Sequence, residues 1–211
     1  MVAPHLHMYD KEELAKWFNS NLTRGELRTK GDTYLGIRPL RNQLPTKTAD
    51  GYRAIICCGA GCKIKIPFVF NDQHLHVING FFSDVADAES ERKALAKAVA
   101  EMELIVYREK LKNISRAELF AYSVPDFNDY SARLTQDCVD QASNGTSYLV
   151  ILCDAGLLGW HRIIHPGRIN ILLFQPHFFT RIRELASGHI YRFDLYHRGR
   201  FGIPPYVARI S

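Results

Sequence analysis

The second half of the chain carries short apolar runs separated by turn residues. The runs are rich in Ile, Val, Phe and Tyr, and several follow the two-residue period of a half-buried strand. Consecutive strands with tight breaks favour antiparallel pairing, so the stretch from Tyr148 to Arg198 predicts an antiparallel sheet. The run from Phe178 to Leu185 also fits a helical turn. The predicted strands cover residues 147–153, 159–164, 168–175, 178–185 and 189–198.

The first two-thirds of the chain mixes helical and strand patterns. Helical spacing of apolar residues predicts helices over 9–27, 84–102 and 126–141. Asp10 is the expected N-cap of the first, with Glu13 in capping-box position, and Asn144-Gly145 is expected to end the third. The strand predictions here cover 53–58, 62–70, 74–82, 104–107 and 119–124. Together the patterns predict an α+β fold, a mixed α/β single domain with mainly antiparallel sheets.

Length and composition set the class of protein. The 211 residues, 46% of them apolar, suit one globular domain over 1–211. No apolar run approaches the ~20 residues of a membrane span, and the N-terminus lacks the pattern of a secretory signal. Five cysteines without framework spacing predict a reducing compartment and free thiols.

The basic residues are unevenly placed. From Ala155 onward the chain has eight arginines, no lysine, and only Glu184 and Asp194 as acids. Arginines interleaved with aromatic residues are one signature of nucleic-acid binding. The alternative interpretation is a solvated outer face of the sheet, since strands of period two place charges on one face without any ligand. We favour that alternative, and nucleic acid remains the less favoured partner.

Three cysteines and two histidines raise the question of a metal site. Their spacing, Cys57, Cys58 and Cys62 with His74 and His76, does not match a zinc knuckle. Buried thiols in a strand are the simpler interpretation, so no metal is predicted. A cysteine nucleophile paired with a distant histidine stays open, because no local motif decides it.

Two weaker signals concern a nucleotide-dependent transferase. Arg53 opens a predicted strand, and Glu103 belongs to a Glu-x-Glu tripeptide. ADP-ribosyltransferases use an arginine on an early strand to hold a cofactor phosphate and a glutamate to orient the nicotinamide ribose. In this chain the glutamates come earlier than the usual order has them.

Four segments of the chain, taken in order, carry a family resemblance: Met102–Lys110, Ala121–Pro125 with Gln136–Gln141, Asn170–Phe174 and Phe193–Gly199. They resemble the plast proteins, the RolB/RolC-type oncoproteins carried on agrobacterial T-DNA. The family shows an apolar strand that ends in a tyrosine and is followed by Arg-Glu, and later a strand that closes in aromatic-x-Arg-Gly or Phe-Asp-Leu-Tyr. The resemblance covers about residues 102–200.

The resemblance implies an effector made in the plant cell. Such a protein would act in the host cytoplasm or nucleus, through host plant proteins, to alter growth, differentiation or hormone response. One branch of the family resembles ADP-ribosylating toxins in fold, a mixed α/β arrangement around split antiparallel sheets. In that branch two tyrosines and a threonine are proposed to line an NAD-like pocket. Tyr107 matches the first tyrosine, whereas Tyr122 or Ser123 stands at the threonine and Phe193 at the second tyrosine.

The candidate site follows from these matches. Its predicted catalytic residues are Tyr107, Ser123 and Glu103, and its predicted cofactor-binding residues are Arg53, Tyr107, Tyr122 and Phe193. The function predicted first is a plast-like regulatory effector. The alternatives are an NAD-using mono-ADP-ribosyltransferase-like enzyme and a nucleic-acid-binding module built on the arginine-rich end.

Overall fold

Seven strands in two sheets and four α-helices make up the described part of the chain. The computed structural model describes residues 8–18, 42–58, 62, 64–111, 136–171, 175–195 and 203–210. The first helix, α1, spans Lys11–Phe18. Asp10 Oδ1 accepts the Glu13 N–H at 2.9 Å, which confirms the predicted cap.

The first sheet is a three-stranded antiparallel meander. Its strands are β1 (Thr46–Thr48), β2 (Gly51–Cys58) and β3 (Ile64–Phe70), in the order β1-β2-β3. Cys58 pairs with Ile64 where β2 passes to β3, so the predicted hairpin is confirmed.

The predicted strand over 74–82 is wrong. The structure has a helix, α2 (Asp72–Asn79), followed by a 3₁₀ turn at Gly80–Phe82. Asn71 and His74 form a reciprocal cap: the Asn71 side chain accepts the His74 N–H, and the His74 ring accepts the Asn71 N–H. Asn71-Asp72 are residue types that are common in turns, but here they begin a helix.

The longest helix, α3, spans Ala88–Val106 and continues into a π-helical turn at Tyr107–Leu111. It starts later than expected, because Asp87 caps it through the Ser90 N–H at 2.7 Å. The predicted strand over 104–107 is wrong, since the β-type run Leu104–Tyr107 continues the helix. Ile105 and Val106 are buried there, and burial in the core outweighs their strand propensity.

Helix α4 (Cys138–Asp154) lies between the two sheets. Its last half is the run 147–153 that was predicted as a strand. That prediction is wrong because the helix is buried on all sides, and an all-apolar run has no period to show which element it forms. The predicted end at Asn144-Gly145 is also wrong. A Cβ on Gly145 would come 2.7 Å from Thr180 Oγ1, so this glycine allows α4 to approach the second sheet.

The second sheet has four antiparallel strands in chain order. They are β4 (His161–Ile171), β5 (Gln175–Glu184), β6 (Ile190–Asp194) and β7 (Tyr206–Arg209). The run from Phe178 to Leu185 is therefore a strand and not a helical turn. The predicted strand over 119–124 and most of the helix over 126–141 lie outside the described residues.

One apolar cluster includes side chains from both sheets and from all four helices. Among its most buried members are Leu14, Phe70, Ile78, Met102, Tyr148 and Phe193. The fold is α+β with two antiparallel sheets, as predicted.

Two of the five cysteines are joined, which corrects the prediction of free thiols. Cys57 and Cys62 form a disulfide with their Cα atoms 4.5 Å apart. The main chain at Cys62 is left-handed, with φ 58°, which turns its sulfur back toward β2. Cys58, Cys138 and Cys153 are not in a disulfide.

A buried polar network attaches α3 to the second sheet. Glu91, 1% exposed, accepts the Gly159 and Trp160 N–H groups at 2.6 and 3.0 Å and contacts His161 Nδ1 at 2.8 Å. Arg92 lies 3.1 Å from the other His161 ring nitrogen. With these contacts His161 donates a hydrogen bond to Glu91 and accepts one from Arg92. The Glu91 carboxylate is tolerated in the core because it is fully hydrogen-bonded.

Candidate functional site

The predicted site residues lie in three different elements. Arg53 is exposed on β2, Glu103 and Tyr107 lie at the end of α3, and Phe193 lies in β6. Tyr122 and Ser123 lie outside the described residues.

Two of these residues are poorly suited to the predicted roles. Phe193 is 0% exposed in the core, so its ring has no open face for a nicotinamide. Glu103 is 5% exposed, and burial raises the pKa of its carboxyl to about 8. Near neutral pH this carboxyl is mostly protonated and cannot stabilise developing positive charge as an ionised glutamate does. Tyr107 is half-buried and packs against the core.

A different constellation brings a thiol, an imidazole and a carboxylate together. Cys138 is the first residue of α4, His177 lies in β5, and Asp194 ends β6. His177 Nε2 lies 2.7 Å from Asp194 Oδ2, and the two side chains are only 10% and 13% exposed. His177 also makes a side-chain hydrogen bond with Cys138. Since Asp194 occupies Nε2, Nδ1 is the ring nitrogen left for the sulfur.

The charge state of His177 follows from these two contacts. The hydrogen bond with Asp194, and then the hydrogen bond with Cys138, raise the pKa of His177 from 6.5 to about 9. The imidazole is therefore protonated at neutral pH. An imidazolium held between a carboxylate and a thiol is an arrangement that activates cysteine nucleophiles.

The start of α4 is fixed by its own cap. Asp137 Oδ1 accepts the Val139 and Asp140 N–H groups at 3.0 and 2.9 Å, and Asp140 Oδ2 accepts the Asp137 N–H at 3.2 Å. Cys138 thus occupies the first turn of a 17-residue helix. The helix dipole favours negative charge at that end, and the first backbone N–H groups have no acceptor within the helix.

Contacts with the first sheet hold this end of α4 from the other side. The Cys62 N–H donates to Asp140 Oδ1, so the disulfide loop is bonded to the first turn. The Asn144 side chain bonds both the N–H and the carbonyl of Cys57, at 2.7 and 3.0 Å. Gln136, just before the helix, donates to Cys58 Sγ at 3.7 Å. The nucleophile candidate is therefore positioned by one sheet, and its histidine and aspartate by the other.

The sequence interpretation missed this site. The sequence leaves a cysteine nucleophile with a distant histidine open, but no motif marks Cys138 or His177. The available signals were a cysteine directly after an Asp cap and a histidine near the start of a strand. Both are common by chance, and only the structure brings them together with Asp194.

A separate groove of about 430 Å³ lies among the β1–β2 turn, α2 and the end of α4. Its polar lining includes Lys47, Asp72, His76, Asn79 and Asp154. Tyr9 OH donates to Asp154 at 2.9 Å beside it. The groove is at the opposite end of α4 from Cys138, so it is not the pocket of the thiol site.

Two further findings concern the described residues alone. They contain no cluster of three or more potential metal ligands. No helix among them has both the length and the hydropathy to cross a bilayer.

Comparisons of the chain with protein-family models, with curated proteins and with solved structures return no match.

Proposed function

We propose that this protein is a cysteine-dependent acyl-transfer enzyme, with Cys138 as nucleophile, His177 as general acid and base, and Asp194 as the residue that orients His177. The observation that carries the proposal is the double engagement of His177, which hydrogen-bonds Asp194 through Nε2 and also bonds the Cys138 thiol. The roles are those of a nucleophile, base and orienting group, which recur on unrelated folds.

In the first half-reaction Cys138 loses its thiol proton to solvent, and the thiolate, beside the protonated His177, attacks the carbonyl carbon of an amide, ester or thioester. The carbon–sulfur bond forms, and the carbonyl oxygen becomes an oxyanion. The Cys138 N–H, in the first turn of α4, is a candidate donor to that oxyanion. The tetrahedral intermediate collapses, the bond to the leaving group breaks, and His177 gives its proton to the leaving amine, alcohol or thiol. A thioester on Cys138 remains.

In the second half-reaction the now neutral His177 removes a proton from the acceptor, which attacks the thioester. The carbon–sulfur bond breaks, and Cys138 leaves as a thiolate beside the reprotonated His177. Asp194 stays ionised throughout and stabilises the imidazolium. Water as acceptor makes the reaction a hydrolysis, and an amine makes it a transfer.

The three free cysteines permit a direct test by alkylation. Burial raises the pKa of both Cys58 and Cys153 to about 12. At pH 7 such a thiol is ionised to about one part in 10⁵, and only the thiolate reacts. We expect iodoacetamide to modify Cys138 at least about 100-fold faster than Cys153 in the folded protein, as peptide mapping by mass spectrometry would show.

His177→Gln should slow the alkylation of Cys138 about tenfold or more, because the histidine that hydrogen-bonds the reacting sulfur is lost. His189→Gln changes a half-buried histidine between β5 and β6 and is the matched control, with no effect expected. Equal rates at Cys138 and Cys153, or no effect of His177→Gln, would contradict the proposal.

A second assay follows acyl transfer itself. With p-nitrophenyl acetate the wild-type protein should gain an acetyl group on Cys138 and release nitrophenol. Cys138→Ala should do neither above the background rate. If it releases nitrophenol as fast as wild type, the thioester step is excluded.

The plast-like effector function and the ADP-ribosylating-toxin-like form of the fold stay predictions. They are supported by the resemblance over residues 102–200 and are compatible with acyl-transfer chemistry. Calorimetric titration with NAD tests the cofactor part. If NAD binds in the predicted pocket, saturable binding should be lost in Tyr107→Phe, and the absence of heat would remove NAD from the prediction.

A further inference from the structure

The outer side of the second sheet places arginines directly opposite one another. Arg162 on β4 pairs with Arg183 on β5, and Arg181 on β5 pairs with Arg192 on β6. Residues directly opposite in an antiparallel pair share a face, as do alternate residues of one strand. Like charges at opposed positions are unfavourable. The sheet therefore concentrates positive charge on one face at some loss of stability.

The acids of these four strands do not neutralise that face. The described strands contain only two, Glu184 and Asp194. Glu184 bonds Arg92 of α3 at 2.7 Å, and therefore points to the opposite side of the sheet. Asp194 is bonded to His177 at 2.7 Å. Both carboxylates are thus engaged with other cations.

Some arginine side chains on this face have hydrogen-bond donors without an acceptor among the described residues. The Nε atoms of Arg162 and Arg192 are buried and find no hydrogen-bond partner among the described residues. The Arg183 side chain is exposed. The Arg192 guanidinium lies over the ring of Tyr206, 4.9 Å from its centroid. Both guanidinium groups therefore keep hydrogen-bonding capacity that the described residues do not use.

We propose that Arg162, Arg183 and Arg192, here called the arginine face, bind an acidic polypeptide segment in extended conformation. Guanidinium groups bind carboxylates in bidentate geometry. Alternate residues of an extended chain lie on one side, so the carboxylates of such a segment can face the three arginines together. This inference is independent of the chemistry at Cys138.

The structure favours a polypeptide over nucleic acid. Single-stranded nucleic acid is usually bound by stacking its bases on aromatic rings. Tyr206, 56% exposed, is the aromatic residue that contacts this group of arginines, and Arg192 already covers one side of its ring. This contact leaves only one side of the Tyr206 ring open for stacking with a base. Arg192 shares a side of β6 with Asp194, so a bound segment would pass near the candidate thiol site.

The probe is a fluorescent peptide of alternating glutamate and threonine, whose glutamates lie on one side when the chain is extended. Anisotropy titrations compare wild type with the triple variant Arg162→Gln/Arg183→Gln/Arg192→Gln. The matched control is Arg53→Gln/Lys97→Gln/Arg108→Gln, which removes the same charge from exposed positions elsewhere. We expect the dissociation constant to rise about tenfold or more in the first variant and less than about twofold in the control.

Equal losses in the two triple variants would overturn the proposal, because binding would then reflect net charge alone. Absence of saturable binding by wild type at low salt would also overturn it. Oligothymidylate of equal charge is the competitor. If it binds more tightly than the peptide and requires the same arginines, the face binds nucleic acid and the polypeptide assignment is wrong.

Folding of the variants is checked by circular dichroism. The single variant Arg183→Gln tests the proposal if the triple variant does not fold, since Arg183 is exposed and its replacement leaves the core unchanged. This single variant should weaken peptide binding about threefold. Arg183→Lys, which retains charge but not the planar fork, should weaken it less. If Arg183→Gln binds as tightly as wild type, Arg183 does not belong to the binding surface and the proposal fails.

Discussion

His177 contributes to stability as well as to the candidate site. Its pKa is about 9 in the folded protein against the ordinary 6.5, because Asp194 and Cys138 hold the protonated ring. A pKa raised by folding stabilises the protein fully below pH 6.5, and that stabilisation is lost as pH rises through 9. Allowing for solvent screening, the loss is on the order of 2 kcal/mol.

We expect the free energy of unfolding, measured in urea, to fall between pH 6 and pH 10 in the wild-type protein. The same measurement on Asp194→Asn should show a smaller fall. The variant removes the largest cause of the raised pKa, so the ring is already neutral over most of that interval. Glu103, whose pKa burial raises to about 8, also lowers stability as pH rises. Its contribution is common to both proteins, so the difference between the two curves isolates His177. Parallel curves would contradict the assignment.

At this scale the sequence predicted caps better than sites. Asp10 was found because its partner Glu13 is close in the chain. His177 and Asp194 are 17 residues apart, and Cys138 lies on another element. No local pattern links them. Glu103 and Phe193 were predicted from motif position alone. Only the structure shows that both side chains are buried in the core.

Gly145 illustrates how a single position controls the packing of an element. In Gly145→Ala the new Cβ would come 2.7 Å from Thr180 Oγ1 and 2.8 Å from Leu195 Cδ1. Thr180 is 0% exposed and Leu195 3% exposed, so neither has space to move. Alanine gains about 1 kcal/mol in helix propensity, but overpacking costs about 1 to 3 kcal/mol. We expect a net loss of about 1 kcal/mol in urea unfolding.

Gly80→Ala is the control for that substitution. Gly80 has φ −58° at the end of α2, and a Cβ there meets nothing within 4 Å. The substitution should be neutral or stabilise by up to about 1 kcal/mol, because alanine reduces the freedom of the unfolded chain. If the two variants change stability in the same direction, close packing at Gly145 is not the reason for its glycine.

Elements with a clear period were predicted, and elements without one were not. The pairing of β2 with β3 and of β5 with β6 agrees with turn residues between alternating runs. The run 147–153 is apolar throughout, because α4 is surrounded by both sheets and α3. The run 74–82 has polar and apolar residues in an order that suits either element. Its cap at Asn71 decides for the helix.

The whole molecule is organised around α4. Asn144 bonds β2 of the first sheet, and Thr180 of the second sheet donates to the Ala142 carbonyl at 3.1 Å. The helix therefore links the two sheets, and the candidate site depends on both. The sequence predicted the α+β class and the antiparallel sheets. It did not predict that one apolar run would become the shared helix, since that follows from long-range packing.

The three free thiols form a graded set of internal probes. Cys138, at the start of α4, is half-buried beside His177. Cys153, near the other end of the helix, is half-buried with a raised pKa, and Cys58 is fully buried at the end of β2. A buried thiol becomes reactive only when the surrounding structure opens. The alkylation rate of Cys138 then reports on the candidate site, and the rate at Cys153 reports on fraying of the helix end. The rate at Cys58 reports on opening of the core. One unlabelled chain therefore measures three stages of unfolding.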